Sequence, residues 1–271
     1  MSDDTTVTRR RVLAGVGATV VLAGCNGNGN GNGNGDGNGG GGEETATPTD
    51  TDTPTDTDTP TDDDTMAASA RVRAAHMSPN APNVDVYVDG DVVLEDVPFG
   101  DIRGYLELDA GTYTVEITPA GDSETTVFDG DVDVEAETDY TIAAIGEVGD
   151  DTDQSFEALV LEDDNSDPGG DTARVRAVHA SPDAPAVDIT ADGDVLFDGI
   201  EFGESDSIEV PSGDYTLEVR GDTEENDGDV VGEFDVSLDG GAAYTAFAAG
   251  YLEPDDDEPA FELIVTQDTE M

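Results

Sequence analysis

The stretch RVRAAHMSPNAPNVDVYVDGD, Arg71–Asp91, returns as RVRAVHASPDAPAVDITADGD, Arg174–Asp194. Both histidines of the 271-residue chain fall in it, with four of its nine basic residues, all arginines. Residues 71–100 and 174–203 align without a gap and share 17 of 30 positions. Further on, LDAGTYTVEI answers VPSGDYTLEV, ETDYTIAAIG answers GAAYTAFAAG, and SFEALVLE answers AFELIVTQ. A repeat of about 100 residues is too long for a solenoid unit and has the size of one domain. The expected layout is one repeat over 70–163, a linker DNSDPGGDT over 164–172, and a second repeat over 173–267.

Inside each copy the apolar residues recur with period two. Val84, Val86 and Val88 alternate with Asp85, Tyr87 and Asp89; Tyr113, Val115 and Ile117 share a face, as do Tyr215, Leu217 and Val219. That pattern predicts half-buried antiparallel strands. Turn signals recur every 8–12 residues at Asp89-Gly90, Asp129-Gly130, Asp192-Gly193 and Gly240-Gly241. About eight short strands per copy imply an all-β protein of two tandem immunoglobulin-like antiparallel β-sandwiches, each with a tyrosine (Gly111-x-Tyr113, Gly213-x-Tyr215) placed to pack at a corner.

The net charge is −57, from 66 acidic against 9 basic side chains. Phosphate binding needs the opposite sign, so nucleic acid is excluded as a partner. An anionic membrane surface is excluded as an electrostatic target for the same reason. The acids run through the strands as well as the tail. Such a chain repels itself in dilute buffer, whereas in molar salt the Debye length falls to about 3 Å and the repulsion is screened. Acidity of this kind describes a halophilic setting rather than a function. One cysteine excludes an internal disulfide framework.

The first residues, MSDDTTVTRRRVLAGVGATVVLAGC, place a basic cluster before an apolar run over 12–22 that is too short to span a bilayer. The pair Arg9-Arg10 resembles a twin-arginine export signal. Leu22-Ala23-Gly24-Cys25 resembles a lipobox, so residues 1–24 are expected to be removed and Cys25 to carry lipid. Residues 25–69 then read as a disordered stalk. Its first part alternates Gly and Asn; its second repeats Thr, Asp and Pro, with ten threonines that suit O-glycosylation. Asn26–Ser69 is 44 residues. Fully extended it reaches at most about 145 Å. The expected location is the outer face of the cell membrane, with the lipid as the membrane contact and a surface-layer protein or a glycan as further partner.

The element H-x-S-P-[ND]-A-P-x-V-D with its following D-G-D turn resembles a family of exported β domains known as a domain of unknown function (number 4397). Copy one carries His76, Ser78, Pro79, Ala81, Pro82, Val84 and Asp85; copy two carries His179, Ser181, Pro182, Ala184, Pro185, Val187 and Asp188. With the later G-x-Y and F-E-x-x-[VL] strands, the resemblance covers nearly all of 70–267. It implies a secreted or surface module, as in haloarchaeal lipoproteins, and brings no catalytic residues with it.

Three chemistries compete for the repeated stretch. His76, Ser78 and Asp85 are the residue types of a nucleophilic triad, but the serine lies in a Pro-flanked turn where it is expected to bond its own backbone, and no G-x-S-x-G elbow is present. One histidine per copy and no free cysteine fall short of a zinc site, and a blue-copper site needs two histidines and a cysteine. Calcium stays open through the DGD turns and Glu253–Glu258, although no EF-hand loop occurs. The third reading is structural: arginines pairing locally with carboxylates, prolines fixing the turn, the imidazole bonding a neighbouring backbone group or Asp. On that reading His76, Ser78, Pro79, Asp85, His179, Ser181, Pro182 and Asp188 form a fold signature, with no catalytic residue, metal or cofactor. The function expected is a non-enzymatic surface module for adhesion, binding or envelope structure. A surface enzyme with a loop-built site, a calcium-dependent binder and a transport binding protein remain the alternatives; the α/β pattern usual for the last is absent.

Overall fold

The computed structural model describes residues 69–149 and 152–269; the expected export pair Arg9-Arg10, the expected lipidation site Cys25 and the expected stalk lie outside them. The described chain is all-β, sixteen strands in four sheets. The first repeat supplies β1 (Ser69–His76), β2 (Val84–Val88), β3 (Asp91–Val97), β4 (Leu106–Asp109), β5 (Gly111–Pro119), β6 (Phe128–Val134), β7 (Asp139–Ile145) and β8 (Glu157–Asp163). The second supplies β9 (Thr172–His179), β10 (Val187–Ala191), β11 (Asp194–Ile200), β12 (Ser205–Pro211), β13 (Gly213–Gly221), β14 (Val230–Leu238), β15 (Ala243–Ala249) and β16 (Glu262–Gln267).

Each set builds a two-sheet sandwich. One sheet runs β4-β1-β7-β8 and faces β3-β2-β5-β6; the second repeat repeats this order as β12-β9-β15-β16 and β11-β10-β13-β14. A seven-strand immunoglobulin constant domain instead sets A-B-E-D over C-F-G. Alternation places Val84 of β2, Val115 and Ile117 of β5, and Val132 and Val134 of β6 against Ala70, Val72, Tyr140 and Ala144 of the opposite sheet. The equivalent core of the second repeat is built on Val187, Ile189, Leu217 and Val219. Each such side chain, fully buried, contributes about 1.5–3 kcal/mol. The corner tyrosines act as expected: Tyr113 and Tyr215 donate their hydroxyls to the carbonyls of Asp109 and Pro211, four residues upstream.

Three expectations need correction. β1 pairs β7, and β9 pairs β15, in parallel; the other pairings are antiparallel. The cause is the crossing. The chain leaves the end of β1 for the other sheet and comes back at the start of β1, where the Arg71 amide bonds the Thr138 carbonyl, so β7 runs the same way. Asp129-Gly130 is no turn but part of β6. The Phe128 ring lies where a Gly130 side chain would stand, with its Cζ 2.9 Å from a Cβ built there. Glycine inside the strand makes room for the ring. The third correction concerns Asp85 and Asp188, placed on the outward face by alternation but 8% and 0% exposed.

The other two Asp-Gly turns form as expected. Asp89-Gly90 and Asp192-Gly193 both take positive φ at both residues, 51° and 85°, then 53° and 86°, as the tight hairpins β2–β3 and β10–β11 require.

Candidate functional site

The His-Ser-Pro element of the repeated stretch begins at the C-terminal end of β1, where the chain leaves one sheet for the other. His76 is 1% and His179 0% exposed. His76 Nε2 is 3.1 Å from the Pro82 carbonyl oxygen, which can only accept, so Nε2 carries the proton. Nδ1 then accepts from the Ser78 amide at 3.4 Å. His179 repeats this with Pro185 at 2.9 Å and Ser181 at 3.3 Å. Burial holds both imidazoles below their ordinary value, only partly opposed by the proline carbonyls, so both rings are neutral near pH 7.

The serines turn away from the rings. Ser78 Oγ donates to the Gly146 carbonyl and Ser181 Oγ to the Gly250 carbonyl, each at 2.6 Å, tying the turn to the end of β7 or β15. Pro79 and Pro182 follow at once and set the turn's φ. Both glycines have positive φ, and a Cβ at either would stand 2.3–2.4 Å from a backbone oxygen.

Asp85 lies apart from this pair. Its carboxylate accepts from the Asp96 amide at 2.8 Å and the Gly121 amide at 2.9 Å. Asp188 accepts likewise from Gly199 and Thr223. The β2–β3 and β10–β11 ladders shift register here, and Asp96 and Gly199 take positive φ. A bulge leaves an amide without its ladder partner, and the buried carboxylate supplies one. That requirement overrides the alternation. The histidine and serine share the turn after β1 or β9 while the aspartate sits on the next strand, each bonded to main chain rather than joined in a relay.

The arginines split into two roles. Arg71 pairs with Asp139 of its own repeat, as expected. Burial works against the Asp139 charge, but hydrogen bonds from Arg71 and Asn165 prevail and its carboxyl titrates below the ordinary range. Arg73 adds a second partner to local pairing: its Nε lies 3.9 Å from Asp163 of its own repeat. Its Nη2 reaches Asp268 of the second repeat at 2.5 Å, while Arg176 Nη2 reaches Asp163 of the first at 2.6 Å. Each arginine also bonds the threonine beside it, Thr141 or Thr245, and those threonines donate to Asp163 and Asp268. These four charged side chains are 0–9% exposed.

Arg73 and Arg176 are equivalent positions, as are Asp163 and Asp268. Reciprocal contacts of this kind define a two-fold interface inside one chain. Glu147 and Tyr251, also equivalent, bond each other at 2.6 Å. Ala75, Met77 and Ile145 from one repeat pack with Val178, Ala180 and Phe247 from the other in a shared apolar cluster. The connection at 164–171 is pinned too, with Arg174 bonding the carbonyls of Asp164 and Ser166. Only the pairing Arg-x-Arg on one strand face was visible beforehand as a signal for this interface.

The loop Glu253–Glu258, considered for calcium, is largely exposed and closes on itself through the Asp255 amide and the Glu258 carboxylate at 3.0 Å. Among the described residues, the carboxylates that converge are instead Asp188, Asp198 and Asp222, within 4.8 Å of one another. Desolvation and then the charges of Asp188 and Asp198 raise the Asp222 carboxyl. Asp188 is committed to the Gly199 and Thr223 amides, and Asn226 donates to Asp198. Sequence reading missed this group because its members come from β10, β11 and the residue after β13.

No curated protein sequence matches the chain. Among solved structures, the Bacillus anthracis TIE protein is 12% identical with a TM-score of 0.21; the match covers 67% of this chain and 34% of that one, so the chain spans about a third of its length. The family CBM26 module of Eubacterium rectale Amy13K, solved with maltoheptaose, is 9% identical at a TM-score of 0.22, over 73% of this chain and 96% of that one. The fimbrial anchor protein Mfa2 of Porphyromonas gingivalis is 12% identical at 0.20, over 73% and 97%. The family model described as Domain of unknown function (DUF4397) matches residues 70–190 and again 173–271. With two matches that span most of its length, the chain belongs to the DUF4397 family.

Proposed function

We propose that the protein is a non-enzymatic, lipid-anchored surface module of a halophilic cell, presenting two β-sandwiches (residues 70–163 and 173–267) on a stalk to a surface-layer protein or a glycan. The observation that carries this reading is the commitment of the repeated His-Ser-Asp element to main chain. Imidazole, hydroxyl and carboxylate are buried and bonded to backbone in both copies, which suits scaffolds and not nucleophiles. The crossed Arg–Asp pairs join the sandwiches at a common face, which suits a part that must hold its shape at the end of a tether. The leader with Arg9-Arg10 and the single cysteine at position 25 supports export and lipidation.

Fractionation of cells at molar salt tests it. The wild-type chain is expected in the membrane fraction and accessible to protease added to intact cells, and Cys25→Ser is expected in the medium or unprocessed. A wild-type chain protected from protease, or equal membrane retention of the two, defeats the reading.

A further inference from the structure

The two sandwiches close one edge differently. In the second, β12 runs seven residues along β9 and lays Ile208 into the core at 3% exposure. In the first, β4 has four residues, pairs only with Ser69–Val72, and leaves Leu106, the counterpart of Ile208, 44% exposed. The residue filling the space behind that edge also differs: Phe197 in the second copy, Leu94 in the first. The second core retains a cavity of about 20 Å³; the first holds one of about 80 Å³ with almost wholly apolar walls. Val93 of β3 and Leu106 of β4 line it and are 39% and 44% exposed, so it opens between these two edge strands.

We propose that the first sandwich binds the end of an aliphatic chain through this opening. The volume suits about three groups the size of a water molecule, whose share of liquid is about 30 Å³. That is the space of a chain end, with the remainder running out past Val93 and Leu106. A polar head gains nothing inside, because walls of this kind leave a buried donor or acceptor unpartnered. Outside, Asp91, Glu95 and Asp96 of the β3 edge and Glu107 of β4 are exposed and repel an anionic head, so the bound amphiphile is neutral or cationic. The site does not depend on what the protein contacts at the cell surface. The sandwich fold does not need the opening, because the second copy keeps the same strand order with the edge shut.

The test is methyl NMR of the full chain in molar salt, carrying Cys25→Ser so that no detergent competes, titrated with n-octanol and, separately, with 1,8-octanediol. Octanol should shift methyls of Val86, Leu94 and Ile142 and leave those of Ile189 and Leu217 in place; the diol, which lacks an apolar end, should shift neither set. Leu94→Phe should weaken octanol binding at least tenfold, and Phe197→Leu should make the second sandwich respond. No shift at octanol saturation, equal shifts in both copies, equal binding of the diol, or undiminished binding by a folded Leu94→Phe chain each overturns the proposal. If Leu94→Phe does not fold, an unresponsive second sandwich in the Phe197→Leu chain overturns it as well.

Discussion

The first and second sandwiches share strand order, hairpins and the His-Ser-Pro loop, yet they differ where the chain is free to differ. Leu106 is 44% exposed and its counterpart Ile208 is 3% exposed. Tyr105, stacked beneath the guanidinium groups of Arg71 and Arg73 and bonded to Asp163, is replaced by Ser207 in the second copy. Asp198 and Asp222 cluster with Asp188, while their counterparts beside Asp85 are Glu95 and Ala120. The comparison separates two kinds of constraint. The His-Ser-Asp hydrogen bonds to main chain and the crossed Arg–Asp pairs recur in both copies because each serves backbone groups or a reciprocal partner. The outer edge and the acidic loops answer to nothing shared, and there the copies have diverged.

The largest expected effect tests the shared part. Arg73→Ala and Arg176→Ala each strand a buried aspartate, and each should cost about 3–5 kcal/mol in denaturant unfolding at molar salt. The paired change Arg73→Met with Asp268→Leu should recover most of the Arg73→Ala loss. Near-equal costs for the two arginines uphold the symmetry; a loss below about 1 kcal/mol at either breaks it.

The next effect tests the divergent part. Phe197→Ala empties a well-filled core and should cost about 3–5 kcal/mol, whereas Leu94→Ala enlarges a space already present and should fall at or below about 2 kcal/mol, the foot of the range for buried leucine. Equal losses on calorimetry would mean that the two cores are filled alike.

Smaller again are the histidines. His76→Gln and His179→Gln keep donor and acceptor capacity and should cost about 1–2 kcal/mol each. They lie in separate loops, so the double variant should show the sum within about 0.5 kcal/mol. The pH dependence sharpens this. Burial lowers both imidazoles from 6.5, so below that value the unfolded chain takes up protons that the native chain refuses. Stability from this source is complete above pH 6.5 and is lost as pH falls toward the lower native values. The gap between parent and double Gln variant should therefore narrow from pH 7.5 to 5; a constant gap would contradict neutral buried rings.

The smallest effect is at Arg71. Its side chain is 40% exposed, and Arg71→Ala should cost less than about 1 kcal/mol despite its carboxylate partner. A loss matching that of Arg73→Ala would erase the distinction between the two arginines of the strand.

The duplication, the strands and the hairpins could be read from the chain alone because each is recorded within a few residues. Val84-Val86-Val88 alternates wherever it is placed, and Asp89-Gly90 demands its turn locally. Other features depend on residues far apart in sequence. Asp85 looks outward by alternation and turns inward because a bulge on β3 leaves an amide to be met. Arg73 sits two residues from Arg71 on the same face, yet one faces a carboxylate of its own sheet and the other lies against the second sandwich, 195 residues along the chain. The cavity behind Leu106 arises from a short β4 and a leucine in place of phenylalanine, neither of which signals a space in sequence. Periodicity records which side of a strand is apolar; only packing decides which partner a buried charge meets and whether an edge is shut.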